Sequence, residues 1–338
     1  MLIGPVFFNA SMIRKNFILL LCTVVLLLIE SVSALASNES LFKESVDSYG
    51  GDLMAATMND DVRLVEKTLK AGANPNYRDQ LDRTPLMLAA FRESDHLVKL
   101  LLDFGADPDA SDSVGQTALI YASKGSNINA ATVLIAHSAV IDRKDDAGKD
   151  ALLWAAQKGH SEMIGLLLDK GADINVRDKS GITPLLISLS NLHKNAAKLL
   201  VFRGASLRPV LPMSGMTPFL LAVRMNDMQL IKLFLQKGVD LNADNKADVT
   251  AIMLAADSGN LMLLNELIER KANVNANSTT GWTALLYAIK GNHIDIVREL
   301  LKNGADIAMS DQLGNTPLIP VSYTHLTLPT MRLRCRSR

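Results

Sequence analysis

A threonine returns along this chain at an almost fixed interval. Thr84, Thr117, Thr183, Thr217, Thr250, Thr283 and Thr316 each open a T-[PA]-[LFI] triplet, and Asp150-Ala151-Leu152 fills the one vacant register. The successive spacings are 33, 33, 33, 34, 33, 33 and 33 residues. A second marker precedes each triplet by about twelve residues: Gly72-Ala73-Asn74, Gly105-Ala106-Asp107, Gly171-Ala172-Asp173, Gly204-Ala205-Ser206, Gly238-Val239-Asp240 and Gly304-Ala305-Asp306. A period of this length makes each unit one supersecondary module, too small to bury its own apolar face. Only a stack of such units can fold.

The markers predict where helices begin and end. Thr, or Asp150, suits a helix N-cap, where a side-chain oxygen accepts from a free backbone N–H, and Pro85, Pro184, Pro218 and Pro317 suit the first helical position. Glycine after the second helix suits a residue with positive φ. Ser138 and Lys271 take that place in two units, so strained or frayed helix ends are expected there. The pairs Ala89-Ala90, Ala155-Ala156 and Ala255-Ala256 allow close approach between neighbouring helices. Segments such as HLVKLLL (96–102) and HIDIVRELL (293–301) place apolar residues at i, i+3, i+4 and i+7, the mark of a helix buried on one side.

Taken together, these residues resemble the ankyrin repeat over residues 51–320. The resemblance implies an all-α repeat solenoid of stacked helix-turn-helix units joined by β-hairpin loops, about eight repeats with a truncated ninth. Residues 51–83 keep the spacing but lack the triplet, as an N-terminal capping unit would. The ninth unit stops repeating at Pro320, inside its expected first helix, so the eighth is expected to present an apolar end to water.

Both ends differ from the middle. Arg14 and Lys15 precede an apolar run from Phe17 to Ile29 and then Ala34-Leu35-Ala36. This is the layout of a secretory signal peptide, residues 1–36, followed by a linker at 37–50, and the apolar run is short for a membrane-crossing helix. A periplasmic or secreted location is therefore expected. Residues 321–330, VSYTHLTLPT, match one translated frame of a transposase-based sequencing adapter, so 321–338 is read as a non-native tail and the chain as a piece of a longer protein. The two cysteines, Cys22 and Cys335, lie in these ends, and residues 37–320 contain none. They hold 29 basic against 34 acidic residues, which gives no electrostatic reason to expect nucleic acid.

Catalytic chemistry has little foothold. No G-x-S-x-G, H-E-x-x-H, phosphate-loop or dinucleotide signature occurs. His160, His193 and His293 all stand ten residues after a capping position, where the family carries a glycine-histidine pair, so they read as structural. Asp142, Asp145, Asp146 and Asp150 lack the order of a calcium loop. The expectation is a non-enzymatic, monomeric scaffold with a protein partner, no cofactor and, after leader cleavage, no membrane contact. The rival readings are the targeting half of a larger enzyme or toxin, and a host-directed effector.

In the family, contacts come from hairpin tips and from exposed inner-helix positions. The residue before each cap reads Arg83, Gln116, Lys149, Ile182, Met216, Val249, Trp282, Asn315. Ile182, Met216, Val249 and Trp282 would form an exposed apolar stripe, with Met213 on a hairpin displaced by the one 34-residue spacing and by Pro209 and Pro212. Inner-helix positions add Phe91, Arg224 and Met225, with Lys124 among the basic ones. Tyr121, Trp154 and Tyr287 occupy a column that is leucine elsewhere, and are expected in the core.

Overall fold

The computed structural model describes residues 50–317 except residue 93, so the stretches read above as leader, linker and non-native tail, and the break at Pro320, lie outside the described residues. The described residues form an all-α solenoid of eight helix pairs. The inner helices are α1 (50–58), α3 (Pro85–Phe91), α5 (Ala118–Gly125), α7 (Ala151–Lys158), α9 (Pro184–Ser190), α11 (Pro218–Arg224), α13 (Ala251–Asp257) and α15 (Ala284–Lys290). The outer helices are α2 (Val62–Lys70), α4 (Asp95–Asp103), α6 (Ile128–Ala136), α8 (Ser161–Asp169), α10 (Lys194–Phe202), α12 (Met228–Gln236), α14 (Leu261–Glu269) and α16 (Ile294–Lys302). Inner helix packs on the next inner helix, so the core is a continuous row threaded through the stack. The alanine pairs are fully buried, as close helix approach requires. Among the described residues, no helix is long and apolar enough to cross a membrane.

Caps form largely as the sequence predicts. Thr84, Thr183, Thr217 and Thr283 accept from the N–H three residues on, and Asp150 accepts from Leu153 N–H at 2.9 Å. Thr117 and Thr250 make no such bond, and the Thr250 hydroxyl is buried without a partner among the described residues. Ser138 and Lys271 do not fray their helices: with φ of 66° and 69° they take the same left-handed turn that glycine takes in the other units. A side chain there costs about 1–2 kcal/mol, partly offset because glycine loses more freedom on folding. Ser138→Gly and Lys271→Gly should therefore each stabilise the array by about 0.5–1 kcal/mol, read as a higher urea midpoint at unchanged m.

The histidines are explained by their neighbours. Their Nε2 atoms bond backbone carbonyls of the preceding unit: His160 to Lys124 O (3.2 Å), His193 to Gln157 O (2.9 Å) and His293 to Asp257 O (3.1 Å). The ring of His193 lies so close over Gly159 that a Cβ there would sit 2.6 Å from Nδ1. Glycine and histidine are thus coupled across units.

The hairpins repeat one construction. Asp79, Asp112, Asp145, Asp178, Asn245 and Asp311 each use Oδ1 to accept from the N–H groups two and four residues on. Successive tips are then laced by backbone bonds: Ser113, Asp146, Lys179, Lys246, Thr279 and Gln312 donate to Leu81, Val114, Ala147, Ser214, Ala247 and Thr280. The fifth hairpin breaks this pattern. Leu211 stands where the others have the acceptor side chain, and Pro212 stands in the donor register with no N–H to give. The loop closes over five residues, Leu211 N–H to Met216 O at 3.0 Å, where the third closes over four, Asp145 N–H to Lys149 O at 2.9 Å. The inserted residue bulges the tip and leaves Met213 90% exposed.

Candidate partner-binding surface

The column before the caps is not a continuous apolar stripe. Met216 is only 5% exposed: the lengthened loop turns it onto the sixth hairpin, where Asn245 Nδ2 donates to its sulfur at 3.3 Å. Met225, expected on the open face, is 9% exposed, because the C-cap of α11 folds its apolar side chain back against the core. Ile182 and Val249 are half-buried and pack on the core from the hairpins. Truncating Met216 would therefore open a cavity rather than isolate a contact. Phe91, Arg224 and Met213 are exposed as expected, and Trp282 is half-buried.

What the structure does bring together are aromatic rings and lysines. Tyr121 and Trp154 are half-buried, with one edge on the core and the polar end anchored on a hairpin: Tyr121 Oη donates to Asp112 Oδ2 at 2.9 Å, and Trp154 Nε1 donates to Asp145 Oδ2 at 2.8 Å. Asp145, one of the acids that invited a calcium reading, thus has both oxygens engaged by the hairpin and the indole. Phe91, 48% exposed, meets Tyr121 edge-on with centroids 6.3 Å apart. Lys124 Nζ lies 5.1 Å from the Tyr121 ring centroid and 4.9 Å from that of Trp154, and Lys149 Nζ lies 4.9 Å from Trp154. Gln116 and Gln157 fix these lysines by accepting from them at 2.8 and 2.6 Å.

Electrostatics follow from this geometry. Burial pushes the Lys124 ammonium below the usual lysine range, with nearby Lys158 adding to the effect. Burial also pushes the Tyr121 phenol up, reinforced by the Asp112 carboxylate to which it donates a hydrogen bond. A lysine stacked on aromatic faces and partly stripped of water is a cation ready for an anionic group.

The same construction recurs toward the other end. Trp282 packs against Tyr287 with centroids 5.1 Å apart, and Lys290 Nζ sits 5.0 Å from the Trp282 ring centroid. Burial raises the Tyr287 phenol as well. Sequence reasoning named Trp282, Lys124 and Lys290 but placed Tyr121, Trp154 and Tyr287 in the core, and so did not join them into clusters. The available signal was the lysine three residues after each tyrosine, Tyr121–Lys124 and Tyr287–Lys290, which puts amine and ring on one helix face.

Stacked helix pairs with hairpin tips and a line of inner helices facing one way define a repeat scaffold, a class that works by presenting a surface. The chain matches a family model described as ankyrin repeats (3 copies) over residues 53–145, 206–278 and 252–320, and one described as ankyrin repeats (many copies) over 152–201. It belongs to the ankyrin-repeat family, whose repeats are protein–protein interaction modules and whose members are typically non-enzymatic scaffolds. No curated protein matches the chain.

Proposed function

We propose that the chain is an exported, non-catalytic scaffold that binds an acidic, partly apolar protein segment through its two aromatic–lysine clusters. The observation that carries this reading is the pairing of each of the chain's two tryptophans with lysine on this surface, Trp154 with Lys124 and Lys149, and Trp282 with Lys290. Indole rings give large contact area at small entropic cost, and the lysines select for carboxylates nearby. The bonds from Asp112, Asp145, Gln116 and Gln157 fix these groups in advance, so little order remains to be imposed on binding. Met213, Phe91 and Arg224 are exposed and available as peripheral contacts. Export is supported by the leader pattern ending at Ala36.

A random-peptide library displayed on phage tests this. Selection should enrich sequences that join Asp or Glu to aromatic or aliphatic residues. Trp154→Ala and Trp282→Ala should each weaken the enriched ligands by about 1–3 kcal/mol, five- to more than a hundredfold, whereas Arg83→Ala should matter much less, since Arg83 is held by Asp79 at 2.7 Å. Basic ligands, or ligands indifferent to both tryptophans, would sink the reading.

A further inference from the structure

A cavity of about 550 Å³ opens between the fifth and sixth hairpins. Ser206, Leu207 and Arg208 line it from one hairpin, and Lys237, Gly238, Val239, Asp240 and Ala243 from the end of α12 and the next hairpin, with Thr217 and Phe219 at its base. None of the aromatic–lysine residues takes part. Its volume lies in the range of small-molecule sites.

The cavity falls where a recurring inter-hairpin clamp is missing. Four residues after the helix-ending glycine, or the residue in its place, five units carry a side-chain oxygen that accepts from a backbone N–H of the next hairpin: Asn76 from Asp107 (2.7 Å), Asp109 from Val140 (2.9 Å), Asn175 from Ser206 (2.8 Å), Asn242 from Asn273 (2.8 Å) and Asn275 from Asp306 (2.8 Å). Asp142 keeps the acceptor at its junction although it makes no such bond. Of the seven junctions between described hairpins, only the fifth has lost the acceptor from this column, to Arg208; Ala308 holds the same place in the eighth hairpin, which has no described successor. The amide of Asp240 donates to nothing among the described residues, as does that of Asp173 opposite Asp142, but only at Asp240 is the facing side chain unable to accept. Arg208 and Lys237 form no ion pair among the described residues, while the Asp240 carboxylate already accepts from Asn242 N–H at 2.9 Å.

The site thus holds a backbone donor, a guanidinium and an ammonium, and lacks the oxygen its sister junctions supply. Leu207 and Val239, both half-buried, give it apolar walls. We propose that this cavity binds an organic carboxylate, whose oxygens take the place of the missing Asn or Asp oxygen on Asp240 N–H and pair with Arg208, while a short apolar body lies against Leu207 and Val239. Geometry favours a carboxylate over an inorganic anion, because the vacated position is that of a planar carboxyl or carboxamide group next to apolar walls.

Backbone amide shifts of the full chain, followed by NMR during titration, test this with hexanoate, with hexanamide, and with acetyl-Gly-Leu bearing a free or an amidated C-terminus. Hexanoate should move the Asp240 and Gly238 amides saturably, and hexanamide should bind at least tenfold more weakly. Tighter binding of the free-acid peptide than of hexanoate would identify a peptide C-terminus as the source, and the reverse a free acid. Arg208→Asn restores the internal acceptor, so it should abolish the hexanoate response while shifting the Asp240 amide on its own and leaving the melting temperature no lower. Equal binding of acid and amide, an unmoved Asp240 amide, or undiminished binding by Arg208→Asn would overturn the proposal. Because no aromatic–lysine residue lines the cavity, Trp154→Ala and Trp282→Ala should leave it intact, which separates its failure from failure of the scaffold surface.

Discussion

Phe234→Ala should cost the array about 3–5 kcal/mol and split its unfolding into two steps. Phe234 is fully buried in α12 and packs against Phe219 at 6.1 Å, so truncation leaves a cavity the surrounding helices can only partly close. A repeat stack is held by neighbour contacts, so a lesion in one unit unfolds whatever is poorly coupled to the rest. The poorly coupled joint is the fifth hairpin, which lacks a donor at Pro212 and a clamp at Arg208. α11 also meets both neighbouring inner helices less closely than most inner helices meet theirs. Units before residue 183 keep their tip bonds and should survive. Urea unfolding followed through single-tryptophan versions checks this: with Phe234→Ala, the Trp282 signal should fall at lower urea than the Trp154 signal. Coincident transitions would mean that the joint is as strong as its neighbours.

Asp150→Thr should stabilise the protein by about 1–3 kcal/mol at pH 7.5 and by little at pH 4. Asp150 caps α7 through one oxygen, but it is fully buried and its other oxygen has no partner among the described residues. Burial raises its pKa from 3.8 to about 6. The folded state thus prefers the protonated acid. The stability that this preference gives is complete below pH 3.8 and is lost as pH rises through 6. Asp79, Asp227 and Asp311 run the other way: burial opposes it, most of all at Asp79 and Asp227, but hydrogen bonds hold their pKa values down, and their contribution disappears only in stronger acid. Between pH 4.5 and 7.5 the Asp150 effect should dominate, so the wild type should lose stability with rising pH and Asp150→Thr should flatten that slope. Thermal melts across this window decide the matter; a steeper slope in the variant would refute the account of Asp150.

Much of the fold was legible because a strict period leaves few alternatives. The caps at Thr84, Thr183, Thr217 and Thr283, the role of Asp150 and the register of the histidines follow from local hydrogen bonding that the spacing already dictates. The binding surface was less legible. An apolar residue in a column that is exposed in the family can serve a partner or its own hairpin, and sequence does not say which: Met213 went out, while Met216 three residues later went in. Which way Met216 turned depended on Asn245, 29 residues away. Likewise, Tyr121 and Trp154 satisfy a core pattern, and only the bonds to Asp112 and Asp145 reveal that each ring keeps an edge toward the open face. The missing clamp at Arg208 was visible as an odd residue in its column, but its meaning needed the five bonds made elsewhere in the stack.

The chain's only two tryptophans both lie in the proposed surface, so their fluorescence reads it directly. Acrylamide quenching of the wild type, of Trp154→Phe and of Trp282→Phe, with and without a saturating selected peptide, tests recognition by the aromatic–lysine clusters. Both indoles should become less accessible to quencher when the peptide binds. Saturable binding that leaves the quenching of both indoles unchanged would place the contact elsewhere on the array and contradict the account.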